Sequence, residues 1–248
     1  MLKFSAPKKE LRRIGLYTAT ALLAVAVGTP TQSHAYSHTE EVTQEVSQRN
    51  VQSGILGGVK VAARPDWSMI EENIILEHSR VRQNPQSYIP ILENYLASMD
   101  AQGNIPGGCG QNCTLLTHEG QPAVEEAIEF LRVQPPVGPL SKSNSIDRVA
   151  KAHAADQVDG AVGHNSSDGS NFSDRLDKFG IQSSGAGENI TYGLTTALDV
   201  VMNLIIDDGV ANRGHRTNIF ADGWTIAGAG CGPHAIYRSV CVINYVAE

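Results

Sequence analysis

The sequence predicts an α+β fold. Apolar residues at helical spacing recur from Asp66 to Asp207, and two short β-prone runs divided by Gly-Pro close the chain. No strand–helix–strand alternation links them, so helices come first and strands last.

The first 35 residues are set apart before the fold is read. Lys3, Lys8, Lys9, Arg12 and Arg13 form a basic start, Ile14 to Val27 is uncharged and largely apolar, and Ser33-His34-Ala35 offers small residues where a signal peptidase reads. A cleaved export signal over 1–35 is expected, with the general secretory path favoured over the twin-arginine route that Arg12-Arg13 suggests. The apolar run falls short of the roughly 20 residues of a membrane span, so an uncleaved anchor is the lesser alternative. Cleavage removes five of 19 Lys+Arg and one of 26 Asp+Glu, shifting the formal charge from −7 to −11. Such a balance disfavours nucleic acid and anionic membrane surfaces as partners, because both are held through basic patches. It suits a secreted protein, extracellular or periplasmic.

Residues 36–65 are polar and then Gly-rich at Gly54-Ile55-Leu56-Gly57-Gly58, the composition of a flexible leader. A helical extension follows over 66–140. Asp66 is placed to cap a helix through Arg82, with Trp67, Ile70, Ile74 and Val81 as its stripe and Asn84-Pro85 as its end. Pro85 opens a second helix towards Met99, its start delayed by Pro90. Ala101 to Gly120 is Gly-, Asn- and Cys-rich, the chemistry of an inserted loop. Pro122 begins a third helix carrying Val124, Ile128 and Leu131, stopped by Pro135-Pro136.

The core spans 141–248. Ser143 or Ser145 caps a helix with Ile146, Val149, Ala150 and His153 on one side, running towards Gly160. Thr195 or Thr196 caps another with Leu198, Val201, Met202 and Ile205, ending at Asp207-Asp208-Gly209. The strands Trp224 to Cys231 and Tyr237 to Val246 make an antiparallel hairpin about Gly232-Pro233-His234. All four cysteines lie in the exported part, where disulfides persist, and they allow three pairings. A Cys231–Cys241 hairpin staple is the economical one, leaving Cys109–Cys113 to close a small loop; Cys-x₃-Cys without a second tight pair is poor zinc spacing.

Three polar, glycine-marked stretches carry the candidate chemistry. These are Gly163-His164-Asn165, Gly187-Glu188-Asn189-Ile190 and Gly214-His215-Arg216-Thr217-Asn218-Ile219-Phe220. Neutral imidazoles are common zinc ligands, and a nearby carboxylate orients the second ring nitrogen, joins the metal or activates its water. His153 sits on a helical stripe and is read as a core residue, whereas the sequence assigns no role to His78, His118 or His234. Arg216 is expected to tie a helix start to a loop, and Asn218 to cap backbone groups. Asn-x-Ser/Thr sequons occur at Asn112, Asn165, Asn171 and Asn189, two of them directly after His164 and Glu188, and are read as by-products of polar loops rather than as glycan acceptors.

The order His164, Asp168-Gly169-Ser170, Asp174-Arg175-Leu176, Gly187-Glu188-Asn189-Ile190, His215-Arg216-Thr217-Asn218-Ile219 resembles the bacterial branch of the CAP superfamily, whose module is also called the SCP domain. The likeness is dense from about Ile146 to Val246 and looser back to Asp66. It implies an α-β-α sandwich, a central antiparallel sheet between helical layers, with a polar cleft lined by two His and two acidic residues. Carried across by position, His164 and His215 are the metal pair and Glu188 the first acid. Asp207 is the second, with Asp208 as its alternative; the relatives' Glu and preceding Trp are absent from this segment. The implied cofactor is a divalent cation, zinc first, and the implied partner a small apolar ligand, a peptide or a cell-surface component. The competing functions are a metal-dependent hydrolase using Glu188 and Asp207, and a structural envelope protein without cleft chemistry.

Overall fold

The computed structural model describes residues 25–27, 64–107 and 113–247. The export segment and leader therefore lie outside the described residues, apart from the backbone of Val25–Val27 and residues 64 and 65. Cys109 is outside them too, and with it the Cys109–Cys113 pairing.

The elements run β1 (Val25–Val27), α1 (Trp67–Gln83), α2 (Ile89–Ala97), β2 (Ile105–Pro106), β3 (Cys113–Leu115), α3 (Gln121–Val133), β4 (Ser141–Lys142), α4 (Asn144–Asp156), α5 (Phe172–Lys178), β5 (Gly185–Tyr192), α6 (Ala197–Ile206), α7 (Gly214–Phe220), β6 (Ile226–His234) and β7 (Arg238–Ala247). The main sheet has the order β4-β6-β7-β5. It is antiparallel except for the two-residue β4 edge, which runs parallel to β6. A second, small antiparallel sheet has the order β1-β3-β2.

Strand alternation creates two cores. On β7, Cys241, Ile243 and Tyr245 enter the core shared with α1, α3 and α6, while Val240 and Val242 face Ala150 and Ala154 of α4. Helices thus cover both faces, an α-β-α sandwich. Glycine sets the spacing on the α4 side. A Cβ on Gly228 would lie 2.3 Å from the Asp147 amide nitrogen, and one on Gly230 would lie 2.2 Å from that of Lys151, so helix backbone rests directly on β6. The helical extension is no separate unit, since Ile70, Ile74 and Val81 of α1 and Val124, Ile128 and Leu131 of α3 share one apolar cluster with α6.

Local sequence explains the boundaries. Asp66 accepts the Met69 amide at 3.2 Å, and Thr196 rather than Thr195 caps α6 by accepting from Asp199. Pro85–Tyr88 forms a 3₁₀ turn, so the second helix starts at Ile89 with Pro90 in its first turn, where a missing N–H costs nothing. Helix α4 starts after Ser143 and ends at Asp156, short of Gly160.

The hairpin turn differs from expectation. Gly232, Pro233 and His234 belong to β6, and the chain reverses through Ala235, Ile236 and Tyr237. His234 makes this turn: its Nδ1 accepts the Ile236 and Tyr237 amides at 3.3 and 3.1 Å, while its Nε2–H donates to Ala161 O at 2.9 Å. Cys231 and Cys241 face each other across β6 and β7 and form the expected disulfide, with Cα atoms 4.2 Å apart.

Candidate functional site

Edge strand β5 organises the site. Ile190 and Tyr192 face α4, so Glu188 projects to that side and Asn189 to the other. Glu188 is 4 % exposed and its carboxylate is crowded with donors. Arg175 Nη2, from α5, donates to Oε1 at 2.7 Å and Oε2 at 2.6 Å, and His164 Nδ1 lies 2.9 Å from Oε1. Asn244, opposite Glu188 on β7, donates Nδ2 to Oε2 at 3.1 Å in the amide orientation its surroundings require. An arginine-paired carboxylate accepts, so His164 donates through Nδ1–H and directs its lone pair through Nε2.

The loop bearing His164 is clamped from several elements. Arg175 Nη1 donates to His164 O at 2.7 Å and to Ser166 Oγ at 3.2 Å. The Gly163 amide donates to Tyr192 Oη at 2.8 Å, and that hydroxyl donates to Gln157 Oε1 at 2.8 Å. Gln157 Nε2 returns to Gly163 O at 2.7 Å and also meets His153. Burial pushes the His153 pKa down and the Tyr192 pKa up to about 12, so both stay neutral near pH 7.

A second carboxylate–imidazole pair forms at the end of α6. Asp207 caps this helix in the left-handed conformation, φ 57°. Its Oδ1 lies 2.6 Å from His215 Nδ1, and its Oδ2 accepts the backbone amides of His215 at 2.8 Å and Arg216 at 3.3 Å. His215 is therefore also held as the Nδ1–H tautomer. Its Nε2 is buried and has no hydrogen-bond partner among the described residues. Asp208 points elsewhere, accepting the amides of His118, Glu119 and Gly120. Arg216, in the first turn of α7, ties that helix start to the C-terminal end of α6 rather than to a loop, donating to Ile205 O and Ile206 O while its guanidinium lies over the Phe130 ring.

Asparagines join the two regions. Asn189 donates to His215 O at 3.0 Å and to Tyr245 Oη at 3.1 Å; Asn218 donates to Asn189 Oδ1 at 2.8 Å and Glu188 O at 3.4 Å. Tyr245 donates onward to His78 Nε2 at 2.8 Å, and His78 Nδ1–H donates to Ile74 O at 2.8 Å. Every donor direction in this chain is fixed by the carbonyl at its end. Burial holds the His78 pKa down at about 4.

The candidate residues are thus joined as pairs, His164 with Glu188 and His215 with Asp207. No group of three or more His, Cys, Asp or Glu side chains among the described residues is placed to hold one ion. Sequence reasoning left Arg175 as part of a motif with no role, and missed Asn244, Gln157 and the Tyr245–His78 connection. The buried position of an arginine three residues before the end of a short helix has no sequence signature, whereas Asn171 and Asp174, whose side chains form a capping box for α5, were a readable one.

The family profile described as the cysteine-rich secretory protein family, CAP, matches residues 127–245. Comparison with curated proteins gives no match. Among solved structures, the chain is similar to an extracellular SCP-domain protein of Bacillus anthracis strain Ames, with 22% identity and a TM-score of 0.39 over 52% of this chain and 39% of that one. It is similar to a cysteine-rich secretory protein of Staphylococcus aureus Mu50, with 12% identity and a TM-score of 0.36 over 54% of this chain and 41% of that one. An outer surface protein of Borrelia burgdorferi gives 15% identity and a TM-score of 0.39, over 51% and 89%. The chain spans about two fifths of the length of the Bacillus and Staphylococcus proteins. The ordered motifs about His164, Glu188 and His215 all fall inside the profile match, and residues 127–245 carry the domain of the cysteine-rich secretory protein (CAP) family.

Proposed function

We propose that this is an exported CAP-domain binding protein in which His164 and His215 hold a divalent cation, zinc first, and the surrounding cleft takes a small apolar ligand, a peptide or a cell-surface component. The observation that carries the proposal is His215 Nε2, a buried nitrogen with no hydrogen-bond partner among the described residues, on a ring whose Nδ1 is committed to Asp207. A buried polar atom left unpaired costs about 1–3 kcal/mol, a cost that a ligand removes. The same orientation at His164, set by Glu188, supplies the second imidazole. Two protein ligands leave positions for water or an incoming donor atom, and the bound ion supplies Lewis acidity there. Export rests on the basic, apolar and small-residue pattern of residues 1–35; among the described residues no helix is long and apolar enough to cross a membrane.

The contacts of Glu188 favour binding over hydrolysis. With Arg175, His164 and Asn244 all on its carboxylate, Glu188 orients rather than waits as a free base. Calorimetric titration with zinc is the test. Binding with one-to-one stoichiometry, lost in the His164→Ala, His215→Ala double variant, supports the site. Unchanged affinity in that variant rejects it, and turnover abolished by Glu188→Gln moves the protein to the hydrolase reading.

A further inference from the structure

We propose that the Thr117–Gly120 turn of the helical extension is a positioning element for the Asp207–His215 pair, acting through Asp208. The proposal rests on the reading of that pair as functional. It begins with the backbone of Asp207, a non-glycine residue in the left-handed region. That conformation costs roughly 1–2 kcal/mol, less for Asp than for most residues, and persists where its surroundings over-determine it. It also turns the Asp207 carboxylate back towards the His215 amide and ring.

The surroundings come from the extension. Asp208 is 9 % exposed, and its carboxylate accepts three successive backbone amides, His118 at 2.6 Å, Glu119 at 2.7 Å and Gly120 at 3.3 Å. Charge-assisted bonds of this kind are about twice as strong as neutral ones. Glu119 closes the clasp from the opposite direction: its Oε1 accepts the Gly209 amide at 2.8 Å, and both its oxygens pair with Arg213, at 2.6 and 2.7 Å. Arg213 in turn donates to Asp207 O at 2.9 Å. The carbonyl of Asp207 and both following residues are thereby fixed from the turn. Close approach is built in at Gly209, where φ is 80° and a Cβ would lie 2.9 Å from the His118 ring.

Solution NMR and zinc calorimetry on the full secreted chain separate positioning from mere stapling of the extension. Asp208→Asn keeps size and removes charge. It should weaken or abolish the protected Nδ1–H signal of His215 while leaving that of His164 in place as an internal reference, and should lower zinc affinity about 10- to 100-fold, the usual effect of losing an outer partner. Glu119→Gln, on a more exposed side chain, should act in the same direction with smaller size. If the His215 signal matches wild type in both variants and only the melting temperature falls, the clasp is a staple and the proposal is overturned. Should Asp208→Asn fail to fold by circular dichroism, an unchanged His215 signal in Glu119→Gln overturns it alone. Absence of zinc binding in wild type would remove the proposed cation site, yet the His215 signal still decides the positioning role.

Discussion

Asp207 meets His215 twice, through Oδ1 on ring Nδ1 at 2.6 Å and through Oδ2 on the backbone amide at 2.8 Å. One carboxylate therefore fixes both the rotamer and the tautomer of a buried imidazole. Asp207→Asn should keep the fold, because Asn tolerates the left-handed backbone, but it cannot accept so fully from both donors. Zinc affinity should drop about 10- to 100-fold, as for other outer partners of a metal-binding histidine. Calorimetry giving wild-type affinity would remove Asp207 from the site.

Arg175→Met strips the partner from a buried carboxylate. Glu188 would lose both Nη2 contacts, and the His164 loop would lose two more. Breaking a buried pair from one side typically costs about 3–5 kcal/mol. Urea denaturation should show a loss of that order; a loss below about 1 kcal/mol would mean that water or Asn244 replaces the guanidinium.

Periodicity made the long helices readable, since Ile70, Ile74 and Val81 or Val124, Ile128 and Leu131 are spaced as their buried faces require. It failed at β5, where Glu188 to Tyr192 are buried on both faces and so show no alternation. The hairpin turn was misplaced because Gly-Pro resembles turn chemistry, whereas Pro233 sits in β6 and His234 supplies the acceptor that closes the real turn. The candidate pairs were legible only through motif order. Which acid meets which histidine depended on the left-handed residue at the end of α6, where two adjacent aspartates point to different partners.

Gly230→Ala places a methyl 2.2 Å from the Lys151 amide nitrogen, in helix backbone that has no side-chain freedom to yield. Overpacking of this kind costs about 1–3 kcal/mol or more. Gly232→Ala, whose Cβ would meet nothing within 4 Å among the described residues, is the matched control on the same strand. Thermal melts should separate the two variants clearly, and equal melting temperatures would show that α4 can lift from β6.

His78 gives a pH dependence with a definite sign. Burial lowers its pKa to about 4 in the folded chain, from 6.5. The unfolded chain binds this proton first as pH falls, so the stability is fully present above pH 6.5 and declines towards pH 4. The loss is up to about 3 kcal/mol at 1.36 kcal/mol per pH unit. His78→Gln should be less stable at pH 7, having lost the Tyr245 contact, but should lack this component of the slope. Parallel slopes from pH 7 to 4 in both proteins, by denaturant titration, would contradict the assignment.

The central claim is that His164 and His215 serve one cation through their Nε2 atoms. Zinc-edge anomalous diffraction from crystals grown with equimolar zinc tests it most directly. The account predicts a single anomalous peak with both Nε2 atoms about 2.0–2.1 Å away, Glu188 and Asp207 still on the Nδ1 side of each ring. A peak on only one of the two rings, a peak elsewhere, or no peak would contradict it.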